Sequence, residues 1–214
     1  NIPVKDYDVE IFGIDCFDTI ENSLKKFGSV KLVGKSFGVL TLRVDNYDFD
    51  FALPRREKKV GNSHQDFEII TNANLSFKEA AMRRDFTINA IGYDFFNKEF
   101  LDPFDGLSDL KARVIKHIDD NTFIEDSLRV YRAVGFASRF NFKLEEKTKE
   151  LCKQIVLEDE LKYLPKERVF EELKKLFLKS IKPSIGFELI YELGILKYFP
   201  ELKALIGCIQ DKEY

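Results

Sequence analysis

Apolar and polar residues alternate with a period of two through much of the first third of the chain. Val9 to Phe12, Val30 to Val33, Val39 to Val44 and Tyr47 to Leu53 are rich in β-branched and aromatic residues and predict strands. One helix interrupts them, expected from about Phe17 to Phe27, because Phe17, Ile20, Leu24 and Phe27 recur at helical spacing. Asp45-Asn46 suits a tight hairpin turn between the last two strands. Residues 58–75 are polar and follow neither period, which predicts a mobile loop. Ser76-Phe77-Lys78-Glu79 then matches a capping box and starts a helix expected to run to about Arg84. Ile91 to Phe96, Asn97-Lys98 and Glu99 to Leu101 predict a second hairpin.

From Asp120 onward the period becomes 3.6, with helices expected near 125–140, 144–156, 165–179 and 183–193. Gly194 suits the position after a helix C-terminus, and Pro200 bars a helix from continuing through it. In the third of these helices Phe170, Leu173, Leu176 and Phe177 recur at helical spacing, which favours core positions over an aromatic RNA platform. Lys174, Lys175, Lys179 and Lys182 read either as a solvated face or as contacts to an RNA backbone. The fold class is therefore α+β. A head with a small mixed or antiparallel sheet, residues 1–118, precedes an all-α neck and body, residues 119–214. The chain opens on Asn1 without a methionine and closes on Tyr214 without a stop signal, so a fragment at both ends is expected.

Composition narrows the function. Hydrophobic residues make up 44% of the 214, enough for a core. The net charge of −3 excludes a chain that coats nucleic acid by bulk electrostatics, so any RNA contact must be local. Cys16, Cys152 and Cys208 are far apart and suggest neither zinc nor a disulfide framework, which fits a reducing cytoplasm. No apolar run is long enough to span a membrane. His64 and His117 have no ligand spacing between them. Gly34-Lys35-Ser36-Phe37-Gly38 lacks the spacing of a phosphate loop and reads as a strand connection.

The sharpest chemistry is Asp6-Tyr7-Asp8, entering the first strand. Residues two apart on a strand share a face, so both carboxylates point the same way. Asp48 and Asp50 repeat the spacing on another strand. Carboxylates on neighbouring strands are hard oxygen donors suited to Mg²⁺, with a nucleotide's phosphates completing the coordination. Asp45, Asp48 and Asp50 all remain candidates for the third acid, and Asp50, between Phe49 and Phe51, is the best placed to point inward.

Four further blocks follow in order: Arg83-Arg84-Asp85-Phe86-Thr87-Ile88-Asn89, Asp102-Pro103-Phe104-Asp105-Gly106-Leu107-Ser108-Asp109-Leu110, Glu125-Asp126-Ser127-Leu128-Arg129-Val130-Tyr131-Arg132, and Glu167-Arg168-Val169-Phe170-Glu171-Glu172-Leu173. With the paired aspartates they resemble class II tRNA nucleotidyltransferases, the CCA-adding enzymes, and the related bacterial poly(A) polymerases, from Asp6 to Pro200.

The resemblance implies a nucleotidyltransferase-type head, with Asp6 and Asp8 as the metal-binding pair and Asp50 as the third catalytic carboxylate. It implies that Arg84 and Asp85 hold the incoming ribose and that Asn89 lies near the triphosphate. Asp126 and Arg129 would read the base, with Arg132 a further nucleotide contact. Spacing supports that pair independently: three residues apart on one helix, they are expected on one face. Asp126 can accept from the exocyclic amine of cytosine or adenine while Arg129 donates to the adjacent ring nitrogen, and uracil and guanine frustrate both contacts. The implied partners are the tRNA 3′ end, CTP and ATP, with Mg²⁺ as cofactor. A poly(A) polymerase or a specialist adding only A or only CC would share every block, and an inert RNA-binding remnant is the rival from another class. The family's glycine-rich segment ahead of the aspartate pair has no counterpart here, and Pro54 stands where the family usually has a small residue. Oligomeric state is not legible.

Overall fold

In the first unit, β1 (Asp6–Glu10), α1 (Phe17–Leu24), β2 (Ser29–Val33), β3 (Val39–Val44) and β4 (Tyr47–Ala52) follow one another. These elements come from a computed structural model that describes residues 6–14, 16–33, 38–59 and 67–208, with backbone alone at 56–59 and 67–70. The sheet order is β1-β4-β3-β2; β1 runs parallel to β4 and the other neighbours are antiparallel. Asp45 turns the chain between β3 and β4 at φ 53°, a left-handed conformation that aspartate tolerates. Alternation sends Leu40 and Phe51 to one face, where they meet Ile20 of α1, Leu53, Phe17 and Leu24 in a small core. α1 stops short of the expected Phe27 because that ring is exposed, and no burial holds another turn.

Two expectations fail in the next stretch. β5 (Arg55–Lys59) and β6 (Phe67–Thr71) pair antiparallel, Arg55 opposite Thr71 and Lys59 opposite Phe67, so residues 58–59 and 67–71 of the expected loop are strand, and only its last residues, 72–75, lack regular structure among those described. Backbone pairing forms this ladder without clean alternation in the sequence. The capping box before α2 (Phe77–Ala81) is present: Glu79 N–H donates to Ser76 Oγ at 3.3 Å and Ser76 N–H to Glu79 Oε2 at 2.9 Å. The helix nevertheless ends at Ala81, before the arginines.

Contacts divide the chain into two compact units, Asn1–Arg83 and Arg84–Tyr214, and the change of period near residue 118 lies inside the second. There a 3₁₀ turn, Thr87–Asn89, precedes β7 (Gly92–Asp94), β8 (Glu99–Leu101), α3 (Gly106–Ala112) and β9 (Val114–Ile115). α4 (Asp120–Glu125), α5 (Leu128–Phe140), β10 (Lys143–Leu144), α6 (Glu146–Leu157), α7 (Lys166–Lys179), α8 (Pro183–Glu192) and α9 (Pro200–Lys203) complete it. α3 was not anticipated, because its seven residues are too short for a period to register. The architecture is α+β, as the sequence indicates.

The core of this unit is built on α5. Leu128, Val130, Tyr131, Val134 and Ala137 are buried and pack with Leu176, Leu189 and Ile190. Gly186 lets α8 approach α7: a Cβ there would sit 2.4 Å from Leu176 Cδ1. Leu173 and Leu176 behave as expected, but Phe170 and Phe177 are exposed, so only part of that periodic set is core. Gly194 takes φ 76° after α8, as expected of a helix stop. His117 is buried. Its ring nitrogens lie 2.7 Å from Thr148 Oγ1 and 2.7 Å from Asp120 Oδ1, and Thr148 Oγ1 donates to Glu145 Oε2 at 2.8 Å. The residue ties the strand region to α6, and among the described residues it belongs to no cluster of three or more His, Cys, Asp or Glu side chains that could hold a metal ion. His64 and residues 34–37 lie outside the described residues. Among the described residues no helix is long and apolar enough to cross a membrane.

Candidate functional site

The parallel pairing of β1 with β4 sets Asp6 opposite Asp48 and Asp8 opposite Asp50. Residues in register on paired strands share a face, so the four carboxylates form a two-by-two array. Tyr7, Phe49 and Phe51 occupy the other face, and Tyr7 stacks on Phe49 with ring centroids 4.9 Å apart. Thr41 of β3, in register with Asp50, donates its hydroxyl to Asp50 Oδ1 at 2.6 Å and fixes that carboxylate. Asp48 leans instead toward Arg43, 3.8 Å away. Glu10, on the same face as the acids, sits 3.5 Å from Arg83.

These groups fit a magnesium ion by their chemistry, since every donor on the face is a hard oxygen. Among the described residues no three His, Cys, Asp or Glu side chains converge into a ready-made ion cage. Magnesium ordinarily takes one or two protein carboxylates and completes its shell with water and substrate phosphates, and this open array offers that arrangement.

A second cluster belongs to the other unit and centres on Asp85, which is 7% exposed. Its Oδ1 accepts from the N–H of Phe86 at 2.9 Å and from Asn89 Nδ2 at 2.8 Å, and its Oδ2 accepts from Arg132 Nε at 2.6 Å. Arg84 Nη1 donates to the Asn89 carbonyl at 2.8 Å. Burial disfavours the charge on Arg132, but Asp85, and then Glu172 and Asp126, outweigh it and hold the guanidinium above its ordinary range. Arg132 also lies over the Phe136 ring, 5.3 Å from its centroid. A carboxylate offers about four acceptor positions, so among the described residues Asp85 retains one on Oδ2. Thus Arg84, Asp85, Asn89 and Arg132, joined by a bond between residues 47 apart in sequence, form one hydrogen-bonded group.

Gly106 secures this group from below. Its N–H donates to Asp102 Oδ1 at 2.7 Å, and a Cβ at that position would lie 2.2 Å from the Thr87 carbonyl oxygen. Thr87 in turn donates to Asp109 Oδ2 at 2.7 Å, so α3 seats the 3₁₀ turn that carries Asn89.

Asp126 and Arg129 do not share a helix. Asp126 is extended, φ −123° and ψ 98°, between α4 and α5, and α5 begins only at Leu128. Its Oδ1 accepts from the N–H of Leu128 at 3.1 Å, the two-residue reach by which aspartate competes with helical bonding. Its Oδ2 accepts from Arg168 Nη2 at 3.2 Å. Arg129 donates to the Thr122 carbonyl at 2.6 Å. A depression of about 280 Å³ lined by Leu128, Glu167, Arg168, Glu171 and Glu172 opens beside them. Sequence reasoning gave Arg168, Glu172 and Thr41 no role. Arg168 and Glu172 stood in a recognised block, whereas Thr41 becomes visible only through strand register.

Known proteins supply the remaining comparison. Residues 1–116 match the family described as the poly A polymerase head domain, and residues 141–206 match the probable RNA and SrmB-binding site of polymerase A. A Multifunctional CCA protein from Pseudoalteromonas atlantica is 37% identical over 209 residues, which cover 96% of this chain and 49% of that protein. A CCA-adding enzyme solved with CTP superposes with a TM-score of 0.75 at 30% identity, covering 94% of this chain and 46% of the other. A tRNA nucleotidyltransferase solved with a primer tRNA and an incoming ATP analog gives 0.74 at 30% identity, covering 99% and 56%. The chain spans about half the length of the curated relatives it matches.

Proposed function

Since this chain belongs to the family of the poly A polymerase head domain, we propose that it is the catalytic head and neck of a CCA-adding enzyme, with the head over residues 1–118 and the helical neck and body over 119–214. The reaction is attack of the tRNA 3′-hydroxyl on the α-phosphate of CTP or ATP, with release of pyrophosphate. The observation that carries this reading is the register of β1 on β4, which aligns Asp6 and Asp8 with a second acid pair on one face.

Asp6 and Asp8 hold the metal, and Asp50 is the third catalytic acid, oriented by the Thr41 hydroxyl. Bound there, Mg²⁺ would favour ionisation of the attacking hydroxyl and offset the charge of the departing pyrophosphate. Arg84 and Asn89, braced on Asp85, serve the triphosphate and ribose. The acceptor position left on Asp85 suits a 2′-hydroxyl, which a deoxyribonucleotide lacks.

Asp126 reads the base, although it does so from the junction between two helices. Leu128 N–H and Arg168 fill two of its acceptor positions, and the others can take the exocyclic amine of cytosine or adenine. Arg129 supplies the donor to the ring nitrogen. The partners are the tRNA 3′ end, CTP and ATP, and the compartment is the cytoplasm.

The test is magnesium-dependent incorporation of each nucleotide separately into tRNA shortened at its 3′ end. CTP used first and ATP after it supports CCA addition. ATP alone, used repeatedly, indicates a poly(A) polymerase; a single A or two C residues indicates a specialist; no incorporation indicates an inert RNA-binding chain.

A further inference from the structure

We propose that the β7–β8 hairpin is a self-association surface through which two copies of this chain pair about a two-fold axis. Tyr93 is 53% exposed, Phe95 79%, Phe96 95% and Phe100 64%. Tyr93 and Phe100 are cross-strand partners whose rings meet edge to face, centroids 5.3 Å apart, and the rings of the consecutive Phe95 and Phe96 meet edge to face at 6.4 Å in the turn. An aromatic side chain carries about 150–250 Å² of surface, so these four present on the order of 600 Å². That is the upper end of what a monomer ordinarily leaves in one patch. Two-fold pairing would remove roughly 1,200 Å² in total, the threshold of a stable interface.

The hairpin is already rigid. Asp94 Oδ1 accepts from the N–H groups of Phe96 at 2.8 Å and Asn97 at 3.0 Å, and Oδ2 accepts from Asn97 Nδ2 at 2.8 Å. These bonds, the Asn97 N–H foremost, hold the carboxyl below its usual range, so the turn keeps a fixed charge and shape at neutral pH. Little ordering entropy is then lost on association. Among the described residues β7 and β8 pair only with each other, which leaves an open backbone edge on either side.

Charge selects the occupant. Between Gly92 and Leu101 there is one lysine against two acids, so the aromatics lack the cations that a single-stranded RNA or an anionic membrane needs beside them. Lys98 and Glu99 are adjacent and exposed, and a two-fold arrangement can set each Lys98 against the partner's Glu99.

Sedimentation velocity of the 214-residue chain over a concentration series tests this. The expected result is a monomer–dimer equilibrium in the micromolar range. Phe95→Ser/Phe96→Ser should weaken it more than tenfold while leaving the thermal midpoint unchanged, because both rings are exposed. Lys98→Glu should weaken it too, and adding Glu99→Lys should restore it. A chain that is monomeric throughout, a double variant that dimerises like the parent, or a charge swap without restoration overturns the proposal. So does binding of a single-stranded RNA oligomer that the serine variant loses in the absence of any dimer.

Discussion

Removing the Asp85 carboxylate should destabilise the second unit as well as alter nucleotide choice. In Asp85→Ala, Arg132 Nε and Asn89 Nδ2 lose the acceptors they hold at 2.6 and 2.8 Å, and the Phe86 N–H loses its own. An orphaned buried donor costs about 1–3 kcal/mol, and breaking a buried ion pair about 3–5 kcal/mol. The Arg132 side chain is one third exposed, 33%, so water recovers part of this. An expected loss of about 2–4 kcal/mol follows. At roughly 2–4 °C per kcal/mol for a chain of this size, the thermal midpoint should fall by about 5–15 °C. Asp85→Asn should fall between, since it keeps both Oδ1 contacts but can set an N–H against Arg132. Urea denaturation of Asp85→Ala, Arg132→Ala and the double variant completes the assay. Their effects should fall short of additivity by about 1–3 kcal/mol. A midpoint unmoved in Asp85→Ala, or strict additivity, would refute the reasoning. Corrected for folded fraction, the same variant should narrow the preference for ribonucleotides over deoxyribonucleotides.

Three other outcomes are expected. Asp8→Ala should abolish nucleotide transfer with the thermal midpoint nearly unchanged, because Asp8 is exposed; Asp50→Asn should act likewise, and a larger effect from Asp48→Asn would shift the third acid. Asp126→Ala and Arg129→Ala should each raise U and G incorporation relative to C and A roughly tenfold to a hundredfold, as about 1–3 kcal/mol of base discrimination implies, and equal rate loss for all four nucleotides would make the pair structural. Burial pushes the Cys152 thiol up to about 12, so a thiol reagent should label exposed Cys16 and Cys208 in the native chain and reach Cys152 only on unfolding; labelling of all three under native conditions contradicts this packing.

The sequence made the acid-bearing strands legible because one face of that sheet is apolar: alternation survives wherever burial enforces it, as at Leu40 and Phe51. Ser76 with Glu79, and Gly194, were legible for a different reason, since local hydrogen bonding and a positive φ need no distant partner. β5 and β6 were missed because their order comes from pairing with each other across a polar stretch. Asp126 was misplaced because helical periodicity runs through residues 120–140 as if unbroken, whereas its carboxylate takes the Leu128 N–H and starts a new helix. The role of Arg168 rests on a contact 42 residues away, beyond the reach of any local pattern.

The parallel pairing of β1 with β4 also determines where this protein tolerates insertion and deletion. Lengthening the connections on either side of α1 leaves the Asp8–Asp50 register untouched. One residue added between Tyr7 and Asp8 would turn Asp6 onto the face that holds Phe49 and Phe51 and bring Tyr7 among the acids. The spacing of two between the aspartates is thus fixed by the pleat of the strand as firmly as by any ligand they hold. Variation in chain length should collect in the connections between the strands and stay out of β1 and β4.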